Sequence, residues 1–197
     1  PTIRNLVLAG GLLLATATSQ AGSWPQWRGP DASGHFEGTG FPTEWNSKKN
    51  VVWKVEIPGR GHSSPVVEGD LVWLTTAYET PASEEDAKKR LKVNTGGQPL
   101  NLLAKVSLRA VQINPKTGKI IRDVEVFNKE KPQWVHKLNS YSSSTPCLKG
   151  GKLYCHFGAY GSACLDAKSG KIIWKNNDKR LWVMHENGPG SSPVLWG

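Results

Sequence analysis

One stretch of this sequence recurs, and recurrence at a set spacing restricts the folds open to a chain more than any other feature. Ser144-Thr145-Pro146-Cys147-Leu148-Lys149-Gly150-Gly151-Lys152-Leu153-Tyr154 is matched by Ser63-Ser64-Pro65-Val66-Val67-Glu68-Gly69-Asp70-Leu71-Val72-Trp73. Ser191-Ser192-Pro193-Val194-Leu195-Trp196-Gly197 opens the same element a third time. The second half of the unit recurs as well: Asn114-Pro115-Lys116-Thr117-Gly118-Lys119-Ile120-Ile121-Arg122 parallels Asp166-Ala167-Lys168-Ser169-Gly170-Lys171-Ile172-Ile173-Trp174. Pro146 and Pro193 lie 47 residues apart and Pro65 and Pro146 lie 81 apart, so the first unit carries roughly 34 extra residues.

Each part of the unit has a physical reason. A residue before proline is pushed to extended backbone, and a strand start tolerates the missing N–H. Asn114 or Asp166 can bond back to nearby backbone N–H groups, and Gly118 or Gly170 can take the positive φ that closes a short hairpin. Strands that alternate apolar and polar residues suit a half-buried antiparallel sheet. A period in the forties with four strands per unit predicts an all-β fold, a β-propeller of four-stranded antiparallel blades.

Leu165-Asp166-Ala167-Lys168-Ser169-Gly170-Lys171-Ile172-Ile173-Trp174 resembles the tryptophan-docking repeat of the pyrroloquinoline-quinone-like (PQQ-like) β-propellers. Trp24-Pro25-Gln26-Trp27-Arg28-Gly29-Pro30 and Pro58-Gly59-Arg60-Gly61-His62-Ser63-Ser64-Pro65 are similar to segments of secreted bacterial members. The resemblance implies seven to eight blades in a complete ring, of which this chain would hold about two and a half. It also implies that Trp174 packs against a neighbouring blade while the glycine turn receives the next tryptophan. Arg122 stands where the first unit should carry its docking tryptophan, which leaves that position unfilled and its joint atypical.

The chain has 197 residues, lacks an initiator Met and stops at Gly197, where the third unit's first hairpin should turn, so the expectation is a fragment cut at both ends. Residues 1–21 read as a signal peptide: Arg4, an apolar run too short to span a bilayer, then Ser19-Gln20-Ala21. That predicts a periplasmic or secreted protein with no transmembrane span. Residues 22–50 read as an extended N-terminal arm, and 51–197 as the partial propeller. Within it, 51–57 would be a closing strand, 62–127 a blade with an insertion at 79–104, 141–176 a second blade and 190–197 the start of the next. Ser83, the acidic residues after it and Lys88-Lys89-Arg90 predict a short helix at 83–91, with 93–103 as loop. The insertion suits either a functional loop or a decoration.

The net charge of +9 is scattered over strand ends and turns rather than gathered in one run, which argues for a solvated basic surface and against a nucleic-acid partner. Cys147, Cys155 and Cys164 are too few for a cysteine zinc site. With the turn centred on Ala159-Tyr160, Cys155 and Cys164 fall opposite each other; a disulfide and two free thiols both fit. His35, His62, His136, His156 and His185 form no metal-ligand spacing, and His185-Glu186 is the best of the polar candidates. Ser142-Ser143-Ser144 and Ser191-Ser192 lack the setting of a nucleophile elbow. Quinoprotein alcohol dehydrogenases, relatives by the resemblance, use an adjacent Cys-Cys pair and an Asp base with calcium ligands, and neither can be matched here. No residue is therefore assigned to catalysis, a cofactor or a metal. The expectation is a non-catalytic scaffold that binds a protein or cell-envelope ligand; the alternative is a PQQ- and calcium-dependent oxidoreductase with its site on blades outside this chain.

Overall fold

The computed structural model describes residues 22–93, 97–178 and 187–196. The signal peptide expected at 1–21 and the His185-Glu186 candidate lie outside the described residues. Among the described residues, no helix is long and apolar enough to cross a membrane.

Two four-stranded antiparallel sheets dominate. The first is a meander of β1 (Val66–Glu68), β2 (Leu71–Pro81), β4 (Leu103–Ile113) and β5 (Ile120–Glu130), interrupted in sequence by α1 (Glu84–Leu91) and β3 (Leu100–Asn101). The second is a simple meander of β7 (Cys147–Lys149), β8 (Lys152–His156), β9 (Ser162–Asp166) and β10 (Ile172–Asn176). A two-stranded ladder pairs β3 with β6 (Val135–His136). The turn chemistry is as the sequence predicts. Asn114 Oδ1 accepts from the N–H groups of Lys116 and Thr117 at 2.9 and 3.1 Å, and Asp166 Oδ1 accepts from Ser169 N at 2.7 Å.

One core joins the sheets. Trp73, Leu108, Ala110 and Val126 of the first interdigitate with Leu148, Leu153, Cys155, Ala163 and Leu165 of the second, all buried. The indole of Trp73 donates across this interface to Ala167 O at 3.0 Å. A second cluster covers the opposite face of the first sheet, where Val72, Val111 and Ile113 meet Trp53, Val55 and Ile57.

That second cluster contains the 51–57 segment, expected as a closing strand. The segment is extended and its alternation is real, but its backbone joins no ladder among the described residues. It lies face-on over the sheet instead, with Trp53, Val55 and Ile57 turned in and Val52 90% exposed. Alternation reports a half-buried extended chain, and either an edge partner or a sheet face can bury that half.

The insertion is corrected in part. The helix forms as expected, capped by Ser83, whose hydroxyl accepts from Asp86 N at 3.2 Å. The segment expected as loop at 93–103 is so over its described residues 93 and 97–99, but β3 pairs with β6, and β2 and β4 run on as one long hairpin to Pro81 and Leu103. Arg90 ties the helix down by donating to Leu103 O and Pro132 O at 2.7 and 2.6 Å.

The facing placement of Cys155 and Cys164 is also corrected. The β8–β9 turn is centred on Ala159, which shifts the pairing by one residue, so Cys155 pairs with Ala163 and Cys164 with Tyr154. A one-residue slip sends the two thiols to opposite faces of the sheet. All three cysteines are free and buried, and burial pushes each thiol above its ordinary pKa.

Candidate functional site

A polar concavity forms where the three recurring pre-proline segments meet. Proline at 65, 146 and 193 holds the preceding residue extended, and those residues, Ser64, Thr145 and Ser192, form a relay. Ser64 N donates to Thr145 Oγ1 at 2.9 Å, and Thr145 N donates to Ser192 Oγ at 3.0 Å. The hydroxyls before Pro146 and Pro193 thus serve the preceding unit, a role beyond the strand-start chemistry expected of them. His62 N, close by, donates to Ser142 O at 3.0 Å. A cavity of about 290 Å³ opens there, lined by Trp27, His62, Ser143, Gly190, Ser191 and Ser192.

Asn139 sets the hydrogen-bond directions inside this site. Its Nδ2 donates to the carbonyls of Asn187 and Pro189, which turns Oδ1 toward Ser140 N at 2.8 Å and Ser143 Oγ at 2.5 Å. An amide oxygen only accepts, so Ser143 must donate to it. The nearest ring nitrogen, His62 Nδ1, is 3.5 Å from Ser143 Oγ, at the outer limit of a hydrogen bond. The proton of Ser143 is therefore directed away from the imidazole of His62, the reverse of what activation of the serine by that histidine requires. What the cavity offers is an exposed indole, an imidazole and hydroxyls.

The remaining histidines are dispersed. His35 lies exposed in the 22–50 segment, and His136 Nδ1 accepts from Leu138 N at 3.1 Å. His156 bonds Ser162 Oγ through Nδ1 at 2.9 Å, and burial lowers its pKa from the ordinary 6.5. Among the described residues, no group of three or more His, Cys, Asp or Glu side chains could hold a metal ion. The adjacent Cys-Cys pair implied for a PQQ site is not found in this sequence, whose Cys147, Cys155 and Cys164 are separate and buried.

Sequence reasoning missed Asn139 and Trp27. Asn139 carries no local signal, because its importance comes from a contact to residues 187 and 189, about one unit further along. Trp27 reads as arm packing, yet it is 51% exposed at the cavity rim. Around it the 22–50 segment is anchored: Trp24 exchanges backbone hydrogen bonds with Val67 at 2.8 and 2.9 Å, and Pro25 O accepts from Leu148 N at 2.7 Å.

No protein-family model matches this chain, and no curated protein matches it.

Proposed function

We propose that the chain is part of an exported PQQ-like β-propeller that acts as a non-catalytic binding or scaffold module in the periplasm or cell envelope. The observation that carries this reading is the reuse of the repeat residues for joints between units. Trp53 lies over Gly118 and donates to Pro115 O at 2.7 Å, while Arg122 lies over Gly170 and donates to Ser169 O at 2.9 Å. The pre-proline hydroxyls link the same succession of units. Residues engaged in joints of this kind serve assembly, and what the described residues leave open at the mouth is an indole, an imidazole and hydroxyls. A ligand-holding role fits that chemistry better than bond cleavage does.

The test is titration of the purified chain with PQQ and calcium, followed by absorbance and calorimetry. The expected result is no saturation. Saturable micromolar binding overturns the non-catalytic reading in favour of the quinoprotein oxidoreductase.

A further inference from the structure

A groove lies away from the mouth, between the end of β5 in the first sheet and the β8–β9 connection of the second. It has a volume of about 680 Å³, within the roughly 300–1,000 Å³ usual for ligand sites. Its wall combines three kinds of group. Phe127 and Tyr160 supply aromatic surface, with Phe127 held edge-on by Phe157 at 6.0 Å between centroids. Asn128, Gln133 and Asn177 supply amides. Lys129 and Lys131 supply charge, and Lys175 adds a third ammonium 5.4 Å from the centre of the Phe127 ring.

The charges are poorly neutralised. Lys131 reaches Asp86 only at 3.9 Å, and Asp86 already pairs with Arg90 at 3.3 Å. Lys129 and Lys175 make no ion pair among the described residues. The Tyr160 hydroxyl donates to Gln133 O at 3.3 Å, which holds the ring against the wall. A ligand suited to all three features carries anionic groups for the ammoniums, hydroxyls for the amides and apolar C–H faces for the rings.

We propose that this groove binds an acidic oligosaccharide, with its carboxylate or sulfate groups at Lys129 and Lys175 and its sugar rings along Phe127 and Tyr160. The inference rests on the binding-module reading only in naming a ligand class for it. The groove is built from the two sheets described and needs no further unit, and a failure here leaves the PQQ result untouched.

Calorimetric titration of the full chain at low and moderate salt, with a tetragalacturonate and a heparin-derived tetrasaccharide, distinguishes carboxylate from sulfate as the recognised group. Maltotetraose tests the need for charge, inorganic sulfate the need for sugar, and phosphatidylglycerol vesicles an anionic membrane surface. Saturable binding of at least one acidic tetrasaccharide, with none of the neutral one, is expected. The double variant Lys129→Glu with Lys175→Glu should weaken it about tenfold or more, and a charge-matched Lys48→Glu with Lys116→Glu variant about twofold or less. The single change Lys129→Gln, checked by its melting curve, provides a second measurement should the double variant not fold, and a several-fold loss is expected of it. Equal losses in both double variants, equal binding of maltotetraose, tighter binding to vesicles, or no binding of either acidic tetrasaccharide overturns the proposal.

Discussion

Arg122 occupies the place where the equivalent strand segments carry Trp53 and Trp174, and it fills that place by other means. The aliphatic stem lies against Gly170, while the guanidinium donates to Ser169 O and to Gln112 Oε1 at 2.7 Å. The expectation of an unfilled position is thereby overturned, because a long side chain with an apolar stem can do the packing of an indole and still satisfy its charge. Trp174 itself is 44% exposed, tilted against Tyr154 at 6.4 Å. In this chain Arg122→Ala should cost about 1–2 kcal/mol, and Trp174→Ala about 1 kcal/mol or less. Urea melts of the two variants give the comparison; a clearly larger loss from Trp174→Ala would show that Arg122 is incidental to the joint. His156 supplies a pH dependence. Its folded pKa lies below the ordinary 6.5 because burial disfavours the imidazolium, so on acidification the unfolded chain takes up the proton first. Its contribution is whole above about pH 6.5 and is lost as the pH falls toward the folded value. His156→Asn, which keeps a partner for Ser162, should flatten the fall in urea stability across that window. An unchanged slope would assign the fall to other groups.

At the scale of elements, the hairpin turns separate two uses of glycine. Gly118 has φ +71° and a methyl there would sit 2.7 Å from the Trp53 ring, whereas Gly69 has φ +58° with open space around it. Gly69→Ala should therefore cost only the left-handed backbone penalty, about 1 kcal/mol. Gly118→Ala adds displacement of Trp53 and should cost about 2–3 kcal/mol, with the difference abolished in a Trp53→Ala background. Thermal melts of the four variants decide the matter; equal costs in the native background would mean that Trp53 does not dock on the turn. These hairpins were legible in advance because turn residues and period-two alternation are local signals, as at Asn114 to Gly118 and Asp166 to Gly170. The neighbours of Trp53, the partners of Arg122 and the role of Asn139 were not, since each depends on residues some fifty to sixty positions away. The cysteine register failed for a subtler reason. The turn between β8 and β9 contains a 3-10 segment at Gly158–Tyr160, and glycines at both ends leave its centre undetermined by sequence to within one residue.

For the molecule as a whole, the shared core makes the two sheets mutually dependent. Trp73, Leu108 and Val126 of the first sheet and Leu148, Leu153 and Leu165 of the second lie in one buried cluster. Unfolding followed by tryptophan fluorescence and by far-ultraviolet circular dichroism should give coincident transitions. A chain shortened to end at Asn139 should show no cooperative transition, because a lone sheet leaves one face unburied. A cooperative melt of that shortened chain would mean that the first sheet and the 51–57 segment suffice by themselves.

The relay from Ser64 through Thr145 to Ser192 specifies only what stands immediately before a proline, and says nothing of how much chain separates one proline from the next. It spans 81 residues in one step and 47 in the other with bonds of nearly equal length. Joints that are indifferent to contour length let a unit grow outward without disturbing its neighbours, as the helix-bearing insertion between β2 and β4 has done. Variation in a chain built this way is free to accumulate at the far ends of the hairpins, while serine and threonine exchange for one another at the seam.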